Sequence, residues 1–112
     1  MLDRLSQTLE HYMDLVSARQ KLVASNIANA DTPGYRTKDI DFQAEFHSAL
    51  AGLQPQALEI GGLPVKNDGN NVSLDREAQL LAENTMRFNL ASNLLRSQMQ
   101  AIRAALQNGS GS

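Results

Sequence analysis

Cysteine and tryptophan are absent from this 112-residue chain, and only 4% of its residues are aromatic. The first absence excludes disulfides, thiolate catalysis and cysteine-ligated metals. The scarcity of rings leaves an aliphatic core, which suits helix packed on helix. Histidine is nearly as scarce, with His11 and His47 alone. Neither stands at metal-ligand spacing from a second ligand, so both read as surface or packing residues. No run of about 18 apolar residues occurs, so no transmembrane helix is expected. The opening Met1-Leu2-Asp3-Arg4-Leu5 lacks a basic region followed by an unbroken apolar stretch, and no cleavable secretory leader is expected there. A net charge of −2 gives no electrostatic case for nucleic acid.

Catalytic constellations are missing as well. Asp39 and Asp41 lie two apart in a segment read as extended, with no partner base nearby in sequence. The Asp68-Gly69-Asn70-Asn71 run lacks the alternating acids and closing glutamate of a calcium loop. There is no phosphate-binding glycine loop and no Gly-x-Ser-x-Gly turn. The chain therefore reads as a non-enzyme, with no catalytic residue, no cofactor and no metal.

What is present is helical periodicity at both ends. Leu5, Leu9, Tyr12, Val16, Arg19, Val23, Asn26 and Ala30 follow one another in alternating steps of four and three, the repeat of a helix packed along its length. Arg19 and Asn26 interrupt the stripe with polar groups. Arg19 reads as a rim residue with its stem on the seam and its charge in water, an ion pair between subunits being the alternative. A second seam runs through Leu74, Ala78, Leu81, Thr85, Phe88, Ser92, Leu95, Met99, Ile102 and Leu106. Within it Leu74, Leu81, Phe88, Leu95 and Ile102 keep a strict seven-residue repeat, which implies a left-handed supercoil. Ser73 is a good N-cap for this helix, with Asp75 and Glu77 where the helix dipole favours acids.

Between the seams the pattern breaks. Residues 37–73 carry five acids against two basic residues, the acidic part of the chain. Phe42, Phe46 and Leu50 recur four apart and predict a short helix from about Asp41 to Ala51. Residues 52–72 read as loop, with one short extended pair and strong turn character at Asn67–Asn71. A loop of that length is unusual in a compact domain, so it is either mobile or ordered by a partner. The expected fold is all-α: long terminal helices packed as an antiparallel coiled-coil-like hairpin around an irregular middle. Its divisions are an N-terminal helix at 1–31, the turn, extended segment and mobile loop at 32–73, a C-terminal helix at 74–107 and a flexible tail at 108–112, one structural domain in all. Each apolar stripe is wider than a two-helix contact needs, and the surplus points to other subunits.

The first helix stops at Ser25-Asn26-Ile27-Ala28-Asn29-Ala30-Asp31-Thr32-Pro33-Gly34-Tyr35. Thr32 precedes a proline and is pushed out of the helical region. Pro33 and Gly34 suit the centre of a type II turn, with positive φ at the glycine. The run from Asn26 to Tyr35 closely resembles the N-terminal motif of bacterial flagellar rod, hook and hook-associated proteins, of the form Asn-(Leu/Ile)-Ala-Asn-x-x-Thr-Pro-Gly-Tyr, without departure. Asp39-Ile40-Asp41-Phe42, Asp68-Gly69-Asn70 and Leu74-Asp75-Arg76-Glu77 resemble the proximal-rod branch of that family. The likeness covers residues 1 to about 46 and 67 to about 107.

That resemblance implies a structural subunit of the flagellar basal-body rod in the periplasm, exported unfolded through the flagellum-specific secretion apparatus. It implies a helical tube that transmits torque and encloses the export channel. It also implies contacts with other rod proteins and with export-gate or membrane-ring components. The motif residues Asn26, Ile27, Asn29, Thr32, Pro33, Gly34 and Tyr35, with Asp39 and Phe42, are the candidate subunit contacts. Tyr35 and Phe42 are candidate anchors in a neighbour's groove. The packing seam is assigned to Leu5, Leu9, Val16, Val23, Leu74, Leu81, Phe88, Leu95 and Ile102. A monomer with half-covered seams is expected to be only partly ordered. The rival reading is a small helical interaction module, such as a secretion chaperone or coiled-coil regulator. It explains the seams but not the motif.

Overall fold

The computed structural model of the chain describes residues 2–110. Helix α1 spans Leu2–Ala28, a two-residue strand β1 spans Lys38–Asp39, and α2 spans Phe42–Leu50. Strand β2 spans Leu58–Glu59, and the 37-residue helix α3 runs from Leu74 to Ser110. The molecule is a narrow rod of 71 × 25 × 17 Å, as two long helices side by side must be. No helix is long and apolar enough to cross a membrane.

Local signals fix most of the boundaries. The Arg76 N–H donates to Ser73 Oγ at 3.2 Å and the Glu77 N–H to the Ser73 carbonyl at 3.0 Å, so Ser73 caps α3 as its sequence predicts. Asp41 caps α2 in the same way, accepting from the Ala44 N–H at 3.3 Å. At the other end of α3 the expected tail is helical as far as Ser110, and Gly111 and Ser112 lie outside the described residues. No proline follows to force a stop, and Gly109 alone does not end the ladder.

Of the extended pair expected within 52–72, one strand forms among the described residues, and its partner lies outside that range. Strand β2 pairs antiparallel with β1, Lys38 opposite Glu59 and Asp39 opposite Leu58. The Ile60 N–H donates to the Thr37 carbonyl at 3.0 Å. The segment expected to be mobile is thus laid down on the strand that follows the motif.

The two helices use their faces differently. On α1 the predicted seam is the interior: Val16 and Val23 are buried, as are Leu15 beside it and Asn26 and Ala30 at its end. Leu9 is half-buried, and Leu5 is exposed towards the far end. On α3 the buried positions are Glu77, Leu80, Asn84 and Ala91, with Gln98 half-buried. That stripe lies beside the predicted one. Leu74, Leu81 and Phe88 are 57%, 40% and 37% exposed, while Leu95 and Ile102 are half-buried. The assignment of Leu74, Leu81 and Phe88 to packing within the chain is therefore corrected. Periodicity finds the most apolar face of a helix, and here α1 covers the more polar one.

Candidate functional site

The motif is built at the C-terminal end of α1, where the last carbonyls of a helix lack partners. The helix first tightens, the Ala30 N–H donating to the Ile27 carbonyl at 3.2 Å and the Thr32 N–H to the Asn29 carbonyl at 3.1 Å. The Tyr35 N–H then bonds the Thr32 carbonyl at 3.2 Å, with Gly34 at φ +75°. This is the expected turn on Pro33 and Gly34. Pro33, Thr32 and Ile27 project outward and are exposed.

The two asparagines face inward to different tasks. Asn26, fully buried, donates from Nδ2 to the Lys38 carbonyl at 2.8 Å and accepts from the Lys38 N–H at 3.1 Å. Its carboxamide thus acts as an extra strand partner for β1. The Tyr35 hydroxyl donates to Asn26 Oδ1 at 2.9 Å and lies 3.2 Å from Ser25 Oγ. Asn29 accepts from Thr32 Oγ1 at 3.0 Å and bonds back to the Ser25 carbonyl at 2.8 Å, closing the turn on itself.

A second segment closes over the first. Asn70, fully buried, donates from Nδ2 to the carbonyls of Asn29 and Thr32, both at 2.9 Å, and the Lys66 ammonium reaches the Ala30 carbonyl at 3.1 Å. A cation there also complements the negative end of the helix dipole. The Gly34 N–H donates to the Asp68 carbonyl at 2.8 Å, and a Cβ placed on Gly69 would meet the Gly34 Cα at 3.4 Å. Asn71 accepts from the Thr37 N–H and donates to the Ile60 carbonyl, tying the extended segment to the strand beside it. Sequence reasoning treated Lys66–Asn71 as a loop. Its Asp68-Gly69-Asn70 run marks it as family-like, but nothing local shows which groups Asn70 and Asn71 will meet.

Charge completes the clasp. Arg19 grips Asp39 with two bonds of 3.0 Å, Arg76 reaches the same carboxylate at 2.6 Å, and Arg76 also binds Glu77 at 2.8 Å. The sequence Arg19–Asp39–Arg76–Glu77 alternates in sign across α1, β1 and α3. Burial would raise the Asp39 pKa, but hydrogen bonds from Arg19, the Ile40 N–H and Arg76 outweigh it and hold the carboxyl below its ordinary value. Arg19 therefore does not reach into water, and Asp39 is not without a basic partner.

The proposed anchors are engaged within the chain. Phe42 packs edge-on to Tyr12 with ring centroids 5.6 Å apart, under the guanidinium of Arg87 at 5.2 Å and that of Arg19 at 5.9 Å. Tyr35 is half-buried on Asn26. Among the described residues no group of acids and histidines is placed to hold a metal.

Gly34 offers a direct check. Gly34→Val forces a β-branched residue to positive φ and is expected to cost about 1–2 kcal/mol or more. Ala30→Ser, four residues away, should cost less. Chemical denaturation of both variants measures the difference, and equal stabilities would dispose of the turn.

Known proteins resemble this chain in sequence. Residues 13–36, from the middle of α1 through the turn, match the family described as Flagella basal body rod protein. Flagellar basal body rod protein FlgB of Proteus mirabilis is 31% identical, the alignment covering 97% of this chain and all of the relative. FlgB of Salmonella typhimurium is also 31% identical over 97% of this chain and 99% of its own length. FlgB of Borrelia hermsii is 33% identical over 80% of this chain and 87% of its own. The first two alignments run to 137 positions against 112 residues here, so those relatives carry residues with no counterpart in this chain. Because this likeness spans both long helices and the clasp that joins them, the chain belongs to the FlgB family of flagellar basal body rod proteins.

Proposed function

We propose that the chain is a building block of the proximal rod, packing with other rod subunits into an axial tube that transmits torque and encloses the export channel. The observation that supports this best is the apolar line of α3 left uncovered by its own α1. Leu74, Leu81 and Phe88 repeat every seven residues and stay exposed while a polar stripe beside them makes the contact within the chain. A neighbour's helix laid along that line would cover it. Export-gate and membrane-ring components are the further partners at the base. The subunit leaves the cytoplasm unfolded, and it catalyses no reaction.

The test separates folding from assembly. Leu81→Asp should change the stability of the isolated chain by less than about 0.5 kcal/mol, because the side chain already meets water. In the rod it would forfeit burial of the 40% of Leu81 still exposed, about 1 kcal/mol in every subunit, and press a carboxylate against an apolar neighbour. Incorporation into basal bodies and motility should therefore be lost. The control Ala82→Asp, on an exposed position one residue further round the helix, should assemble. Normal motility from Leu81→Asp would refute the seam as a subunit contact.

A further inference from the structure

Helix α3 carries a second exposed apolar line. Met86, Leu90 and Leu94 recur four apart, and all three are exposed, Leu90 at 62%. Leu90 stands about two and a half helical turns beyond Leu81, so the two lines lie on opposite sides of the helix. The buried stripe of Leu80, Asn84 and Ala91, which α1 covers, runs between them. Met99 is exposed about five turns beyond Leu81 and extends the first line.

Charge distinguishes the two sides. Arg96 and Arg103 border the first line, and Asp75 and Glu83 border the second. None of these four belongs to an ion pair among the described residues. Arg87, also on the second side, is turned onto the Phe42 ring. Two like sides laid together would repel, whereas the two unlike sides attract. No other described helix offers a comparable line. The exposed face of α1 carries Arg4, Glu10, Asp14 and Lys21, and α2 is only nine residues long.

We propose, on the reading of the chain as a rod subunit, that the Leu81–Met99 side of α3 packs against the Leu90 side of α3 in a second copy. The helices run parallel, staggered so that the basic half of one lies beside the acidic half of the next. The two surfaces differ, so the contact is heterologous and passes from copy to copy, as an open helical assembly requires. Neither line is covered by α1, so the row of α3 helices forms with every α1 in place.

A photo-crosslinker reads this contact without assuming the stagger. Met99 is replaced by p-benzoylphenylalanine, which its exposure allows, and purified basal bodies are irradiated. A dimer of the chain is expected on a denaturing gel, with the link mapped to the Met86, Leu90 and Leu94 side of the second copy. A link to Leu81 or Phe88 of that copy, or to a protein of different mass, overturns the contact and leaves the rod reading standing. Monomer alone in basal bodies that contain the chain does the same. Absence of the parent chain from purified basal bodies would refute the rod reading and this contact with it. Leu90→Asp is the second arm. Its side chain already meets water, so the purified variant should melt with the parent. A carboxylate set against an apolar line should lower its incorporation about tenfold. Parental incorporation of Leu90→Asp while Leu81→Asp fails would overturn the contact alone, and parental incorporation of both would overturn it together with the seam.

Discussion

Asp39→Asn is expected to destabilise the chain by about 3 kcal/mol, because removing one partner of a buried ion pair strands the other. Two partners are stranded here. Arg19 loses a bidentate grip at 3.0 Å and Arg76 a contact at 2.6 Å, with side chains only 14% and 24% exposed. The carboxylate also accepts the Ile40 N–H at 2.7 Å, so the start of α2 is tied to the same atom pair. Asp41→Asn is the control, since asparagine caps a helix as well as aspartate does. Urea unfolding of the two variants reads the difference directly. If Asp39→Asn unfolds with the parent's midpoint, the charge ladder contributes nothing to the fold.

The same carboxylate sets a pH dependence with a definite sign. Its folded pKa is lowered from 3.8, so its contribution is complete above that value and is lost as pH falls through the folded one. Parent stability from this group should therefore hold from neutral pH down to about its ordinary value of 3.8 and decline below it. Asp39→Asn should lack that part of the decline. An acid limb of equal depth in both proteins would assign it to other carboxylates.

The sequence makes some of this legible, and the reasons differ by element. The path of α1 follows from its own apolar repeat, because one face meets the rest of the chain and that face is apolar. The turn follows from Pro33 and Gly34, whose conformational limits are local. On α3 the same reasoning finds the wrong face for the contact with α1. Inside, Arg76 meets Glu77 Oε1 and Gln20 meets Asn84 Nδ2, and Gln20 lies 64 residues away. In a protein that assembles, the most apolar face need not be the one its own chain covers. The clasp is hidden for a related reason. Asn70 serves carbonyls 38 and 41 residues upstream, and no local pattern announces which carbonyls a buried amide will meet.

Asn26→Asp is expected to cost about 3 kcal/mol, more than any other change in the motif. The carboxamide offers a donor to the Lys38 carbonyl and an acceptor to the Lys38 N–H, and it is fully buried. A carboxylate keeps the acceptor but sets a second oxygen against that carbonyl, with its charge out of water. Tyr35→Phe removes only the hydroxyl's bonds to Asn26 and Ser25, so it should cost about 1 kcal/mol. The order of the two variants in urea tests whether the motif acts first within its own chain. If Asn26→Asp were as stable as Tyr35→Phe yet failed to enter the rod, the asparagine would serve a neighbour instead. A loss of stability in the purified chain that matches the loss of motility would place the motif upstream of assembly. It would then fix the angle at which α1 gives way to the extended segment, and with it the surface each subunit offers the next.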